Sequence, residues 1–258
     1  MDFKKAYKSG IIMIMGILCI YFATACNNSS SLFEKGTVNE VPTLKDEYET
    51  IIESTKIVEN GILVTKYFKE NNIEIKYPQI TKMEDSNLES QINNLLKEDA
   101  LRILEYYQVN FEGDVMEVDF EVKKSNEESM SVVYTGDFIW QGAANSANLL
   151  YSSNINMETG EHICLAEEKK IDQIAYSLKT AKGYDIITDS EELLAVVEEN
   201  LKEIDIEDLR LMLENADFKN KDFDSYPEIF SYYTDEGESY ISFPLINTLE
   251  DYALIKLF

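Results

Sequence analysis

The sequence predicts an α+β fold: an antiparallel β-sheet, built as a meander plus a C-terminal hairpin, packed against a few helices. Three observations carry that expectation. Leu88, Ile92, Leu95, Leu96, Ile103 and Tyr107 recur at helical spacing, so one face of a long helix must be buried. Met116, Val118, Phe120 and Val122 alternate with Glu117, Asp119 and Glu121, the two-residue period of a half-buried strand. Near the C-terminus, residues 228–233 and 240–245 read as strands joined across Asp235-Glu236-Gly237-Glu238, a turn signal.

Taken in order, residues 61–67 and Ile73-Glu74-Ile75-Lys76-Tyr77 read as short strands, the second closed by Pro78. Ser86-Asn87-Leu88-Glu89 then offers capping-box spacing for the start of the core helix. The strand 116–122 turns at 123–128 and returns as 130–140. A third strand, 147–157, ends at Thr159-Gly160, which completes an antiparallel meander. Residues 189–203 and 206–213 read as helices, the first capped within 189–192, and 252–257 is the last strand. No parallel βαβ run and no internal repeat are expected.

The first residues have a different character. Lys4, Lys5 and Lys8 precede an uncharged run from Ile11 to Phe22, which closes on Ala23-Thr24-Ala25-Cys26. A basic start, a short apolar stretch and small residues before a cysteine make a lipoprotein signal peptide, cut so that Cys26 becomes the lipidated N-terminus. A transmembrane helix needs about 20 apolar residues, and this run is too short for one. The expected organisation is therefore a cleaved signal peptide (1–25), a flexible Asn/Ser-rich tether (26–45) and an N-terminal α+β domain (46–160). A C-terminal α+β domain (161–258) follows, separate or forming one compact unit with the domain before it. The expected location is the extracytoplasmic face of the cell membrane, with the membrane itself reached through the lipid anchor.

Charge narrows the partners. The chain carries 49 Asp+Glu against 23 Lys+Arg. Removing residues 1–25, which hold three lysines and one aspartate, leaves a formal charge of -28. That sign disfavours nucleic acid and anionic lipid, and it steers cationic partners inward.

The residue inventory excludes most catalytic classes. His162 is the only histidine, so a zinc site built on several imidazoles has too few ligands. Cys164 stands two residues from His162, but the turn before them and the apolar Ile163-Cys164-Leu165 favour a buried structural thiol. Neither GxGxxG nor GxxxxGK[ST] occurs, and no cofactor is expected. The stretch from Asp217 to Asp224 is oxygen-rich, yet a calcium loop read from Asp217 would place Lys219 and Lys221 at ligand positions. A pair of carboxylates acting as acid and base remains open, so a cell-wall hydrolase stands as the alternative to a non-enzymatic protein.

Trp140 is the only tryptophan and is followed by Gln141-Gly142-Ala143-Ala144-Asn145-Ser146. Its ordinary role would be a core plug at a strand end. Its functional role would be an exposed platform for a sugar face or a partner's pocket, with Gly142 permitting close approach. Trp140, Gln141, Gly142 and Asn145 are thus the candidate ligand-binding residues.

The order of segments is similar to one extracellular family. Residues 73–80, Ile92-Asn93, Gln141-Gly142-Ala143, Asn156-Met157-Glu158-Thr159-Gly160-Glu161, Tyr232-Tyr233-Thr234 and Ile241-Ser242-Phe243 carry the likeness, which spans roughly residues 60–257. They resemble the paired domain of unknown function of RsiV-type anti-sigma factors, also found as the non-catalytic region of PdaC-type peptidoglycan deacetylases. The family usually has Gly-Gly-Ala-His where this chain has Gln141-Gly142-Ala143-Ala144, so no role for that histidine carries over. The resemblance implies an ectodomain that works by binding at the cell envelope. In the RsiV branch the partner is lysozyme, a cationic protein. Lysozyme, another cationic protein, or peptidoglycan is accordingly the expected ligand of a non-enzymatic binding or sensing lipoprotein.

Overall fold

A computed structural model describes residues 55–58, 61–218, 226–245 and 251–258. The expected signal peptide, Cys26 and the tether lie outside them. The described part is one compact unit of α+β architecture.

The first sheet begins with β1 (Thr55–Val58), β2 (Gly61–Glu70) and β3 (Ile73–Thr81), paired antiparallel. The β2–β3 hairpin closes on Asn71 and Asn72. Asn71 takes a φ of 51°, a left-handed conformation that asparagine tolerates better than most residues. β3 runs through Pro78 instead of ending at it. The Ile80 N–H turns away from β2 and donates to Asn93 Oδ1 at 2.7 Å. Pro78, two residues earlier, therefore lacks its N–H on that same outward side. The next strand pairs only with Ile73–Ile75, so no ladder bond is lost there.

From β3 the chain enters α1 (Ser86–Tyr106) and returns as β4 (Val115–Ser125), which pairs parallel to β3. This crossover corrects the expectation of no parallel βαβ run. Periodicity reveals which face of a strand is buried, but not which strand lies next to it. The cap of α1 also sits one residue earlier than expected. Asp85 accepts from the Asn87 and Leu88 N–H groups, at 2.8 and 3.1 Å, while Glu89 reaches back to the Met83 N–H.

β4, β5 (Ser129–Ile139) and β6 (Ala147–Asn156) form the meander, so the sheet order is β1-β2-β3-β4-β5-β6. Gly136 lets β4 and β5 approach, since a Cβ there would lie 2.0 Å from the Glu117 carbonyl oxygen. Ile92, Leu96 and Ala100 of α1 are fully buried, each large side chain contributing about 2–3 kcal/mol. Tyr134 and Tyr151 stack at 4.8 Å and donate to the Leu96 and Ala100 carbonyls, pinning helix to sheet.

After β6 the chain forms α2 (Leu165–Glu168), α3 (Ile171–Thr180), β7 (Tyr184–Ile187), α4 (Glu191–Glu203) and α5 (Ile206–Glu214). It finishes as β8 (Ser231–Tyr233), β9 (Ser239–Pro244) and β10 (Tyr252–Leu257). These last strands and β7 make an antiparallel sheet in the order β7-β10-β9-β8. Its core gathers Val197, Leu201, Leu209, Leu213, Ile241 and Ile255. β1, α2, α3 and β7 were not foreseen, whereas the cap expected within 189–192 is found at Ser190, whose Oγ accepts from the Leu193 N–H. Lys179 closes the other end of α4 by donating to the carbonyls of Leu201, Lys202 and Ile204.

Candidate functional site

β5 ends at Ile139, and residues 140–146 form an exposed loop before β6. All four candidate residues, Trp140, Gln141, Gly142 and Asn145, lie on it. Trp140 is 42% exposed. Its indole rests edge-on against Phe138 at 4.6 Å and Tyr107 at 5.5 Å, and Tyr107 in turn leans on Phe138. The core-plug role is therefore corrected: the ring is braced from behind and open in front. At this strand end the sheet supplies only one covered side, which a plug would need on both.

The loop is held at its base by Asp114, a residue the sequence reading passed over. Its carboxylate, 4% exposed, accepts the Gln141 N–H at 2.7 Å and the Asn110 N–H at 2.8 Å. Gly113 makes room for the Gln141 side chain, which a Cβ there would meet at 2.4 Å. The Ala143 N–H closes a turn onto the Trp140 carbonyl at 2.9 Å, and Gly142 takes a φ of 81° with open space where a side chain would project. An Asn-x-x-Gly-Asp run just before a strand, here Asn110 to Asp114, is the sequence signal that could have disclosed this support.

Between residues 61 and 160 the exposed large apolar side chains are Tyr106, Val115, Ile139 and Trp140. All four sit where α1 ends, β4 begins and β5 stops. Val115 and Ile139 are cross-strand partners, and Tyr106 stacks on Tyr226 at 4.0 Å. Burial raises the phenols of Tyr107 and Tyr106 above the ordinary tyrosine range, with the charges of Asp251 and Glu228 adding to the two respectively. Carboxylates thus border the aromatic end.

The other chemistry-bearing residues meet inside, where the two sheets join. Asp99 of α1 is fully buried, accepts the Ser153 hydroxyl and lies 2.8 Å from His162 Nε2. Asn154 and Ser152 of β6 hold the Ser231 carbonyl at 2.8 and 2.5 Å, and the Tyr233 N–H donates to Ser131. Asp217 accepts from the Leu165 N–H, the Ser231 N–H and the Ser231 hydroxyl. Burial pushes the Asp217 carboxyl up to about 6, against these hydrogen bonds and the nearby His162, which lower it.

This seam consumes the groups that invited catalytic readings. His162 is directed to Asp99, while Cys164 points its Sγ at the Phe218 carbonyl, 3.7 Å away. Ser153 meets Asp99 rather than His162, so the order needed for a base-activated hydroxyl is not built. Asp217 is buried against Leu165 and Ser231, and residues 219–224 of the oxygen-rich stretch lie outside the described residues. Among the described residues no group of three or more His, Cys, Asp or Glu is placed to hold a metal ion. Asp99 itself was discoverable, because it falls on the apolar face of α1, three residues after Leu96 and four before Ile103.

No family model matches the sequence, and no curated protein matches it. Among the solved structures that match is the crystal structure of a member of the DUF3298 family from Bacteroides fragilis NCTC 9343. It is 11% identical, covers 58% of this chain and 74% of its own, and superposes with a TM-score of 0.31. A likeness that loose carries no argument about activity or ligand.

Proposed function

We propose that this chain is a membrane-anchored, extracytoplasmic binding or sensing lipoprotein, non-enzymatic, that takes its ligand at the Trp140 end of the first sheet. The observation that carries the proposal is the braced, open indole of Trp140 at the start of an exposed loop. A rigid aromatic with one free side loses little entropy on contact, which is why tryptophan is favoured at binding hot spots. Support for a non-enzymatic role comes from the interior: Asp99 and Asp217, the deeply buried acids of the seam, are engaged in holding segments together. The signal-peptide pattern ending at Cys26 supports the anchor, and no helix among the described residues is long and apolar enough to cross a membrane.

Trp140 is the sole tryptophan, so its fluorescence reports on the site directly. Binding of lysozyme by calorimetry at low and moderate salt, or a change in Trp140 emission on adding muropeptides, is the expected result. Neither heat nor a spectral change with both ligands would remove the proposal.

A further inference from the structure

The seam between the sheets collects titratable groups out of water. Among the described residues the buried acids are Asp99, Asp114 and Asp217, and Asp99 and Asp217 both lie there. Asp99 Oδ2 meets the Ser153 hydroxyl and His162 Nε2, while Oδ1 has no hydrogen bond and lies 3.9 Å from the Arg102 guanidinium. Tyr134 of β5, Tyr151 of β6 and Tyr226 stand close enough for the Asp99 charge to raise their phenols. Asp217 meets only neutral donors, the Leu165 N–H of α2 and the Ser231 N–H and hydroxyl of β8. His162 acts on it through space, and Tyr233, which has Glu168 and Cys164 as further neighbours, feels its charge. Ionised, the two carboxylates face one fixed cation, Arg102. Among the described residues a proton, on Asp217 itself or on His162, restores the balance.

Asp217 is placed to turn that proton into movement. Its φ of 65° lies in the left-handed region, and its side chain fixes the backbone there, between α2 and β8. Phe218 follows directly. Its carbonyl accepts from Cys164 Sγ at 3.7 Å, and the Arg102 guanidinium lies over its ring at 4.6 Å. From that ring a series of contacts leads out of the seam. Phe218 meets Tyr226 at 5.6 Å, Tyr226 stacks on Tyr106 at 4.0 Å, Tyr106 meets Tyr107 at 4.9 Å, and Tyr107 backs Trp140 at 5.5 Å. Close-packed rings shift between discrete arrangements, so a displaced Phe218 is felt at the far end.

We propose that the seam is a proton-operated latch: protonated Asp217 keeps residues 217–218 docked, and its ionisation loosens them and resets Trp140, so that pH regulates the ligand end. The regulation rests on the ligand reading of Trp140 given above; the latch does not. Burial raises the Asp217 carboxyl to about 6 against its ordinary 3.8, so the docked segment holds the proton more tightly than a loosened one whose carboxyl meets water. Docking is therefore strongest below the ordinary value and weakens as pH rises through about 6. A charged His162 works against the proton on Asp217, since it lowers that carboxyl.

The test uses the full chain without ligand and two readouts across pH: Trp140 emission, and labelling of Cys164 by a neutral maleimide, located by peptide mass. Thiol reactivity itself rises with pH, so labelling is expressed relative to the urea-unfolded chain. The relative rate should rise about tenfold between pH 5 and pH 7.5, levelling off above about 6, and Trp140 emission should change over the same range. Neither response should survive in Asp217→Asn, which cannot ionise. His162→Gln keeps a donor for Asp99 but cannot take the proton, and it should move both responses to higher pH. That displacement, which lost packing alone would not give, decides between the outcomes if Asp217→Asn does not fold. Either readout flat across the range in native protein, a response retained in folded Asp217→Asn, or an unmoved response in His162→Gln would overturn the proposal. Because no ligand enters these readouts, such a result leaves the binding reading standing, and failure of lysozyme and muropeptides to bind would leave the latch standing.

Discussion

The buried seam and the exposed end of the first sheet use the same kinds of residue under opposite conditions. In the seam, Asp99 and Asp217 lie out of water and each is matched by donors, Ser153 and His162 for one, Ser231 and the Leu165 N–H for the other. At the exposed end, Glu117 and Asp137 face each other across two strands, and Tyr106, Ile139 and Trp140 keep large apolar areas in solvent. A buried carboxylate without partners would cost several kcal/mol, so both acids had to be given donors; at Asp99 these meet Oδ2, while Oδ1 has no hydrogen bond and lies 3.9 Å from the Arg102 guanidinium. The surface faced no such demand, and what is left unsatisfied there is available to a partner. The sequence already favoured a buried structural role for Cys164, but it did not show that His162, Asp99 and Asp217 meet beside it. In the structure each of them is hydrogen-bonded to another segment of the chain.

The contrast is open to attack first from the inside. Asp99→Ala should destabilise the protein by about 3 kcal/mol in urea unfolding, since it strips the buried Ser153 hydroxyl and His162 of their acceptor. A change below about 1 kcal/mol would mean that the seam does not hold the halves together.

Asp217 gives the next effect, and its sign runs against the usual acid-denaturation pattern. Its carboxyl titrates near 6 in the folded chain against 3.8 as its ordinary value, so the folded state binds the proton more tightly than the unfolded one. The stabilisation is complete below the ordinary value and is lost as pH rises through about 6, at most about 3 kcal/mol in all. Relative to Asp217→Asn, which cannot ionise, native protein should therefore lose stability between pH 4 and pH 7. Parallel stability curves for the two proteins would show that Asp217 does not titrate in that range.

On the surface the stability effects should shrink while the binding effects grow. Trp140→Ala should cost less than about 1.5 kcal/mol of stability, because much of the indole is already in solvent. Glu117→Gln should leave stability unchanged or raise it by a few tenths of a kcal/mol, by easing the repulsion from Asp137 and Glu74. Losses of 2 kcal/mol or more in thermal unfolding of either variant would erase the distinction between the two regions.

Much of the first sheet was legible from sequence because its signals are long and local. The alternation from Met116 to Val122 and the helical stripe from Leu88 to Ile103 each persist over several repeats, and both elements appear where expected. The parallel neighbourhood of β3 and β4 was not legible, since Ile73 and its partner Met116 are 43 positions apart with a helix between them and no local pattern encodes adjacency. The helix α3 had a readable face, Ile171, Ile174, Ala175 and Leu178, but it follows Lys169-Lys170 with no capping side chain to announce it. β7 is only four residues long and owes its existence to pairing with β10, the last strand of the chain. At the candidate site the tryptophan loop was recognisable from its glycine and small residues. Its orientation was not, because whether a strand-end indole turns inward depends on Phe138 and Tyr107, which fill the space behind it.

The claim at the centre is that ligand meets this protein on the open side of Trp140. Calorimetric affinity for lysozyme, measured on native protein and on Trp140→Ala with both shown to melt cooperatively, addresses it most directly. The account predicts a loss of about 2 kcal/mol or more of binding free energy, roughly thirtyfold in Kd, from a variant that remains folded. Native-like affinity in the folded variant would contradict it.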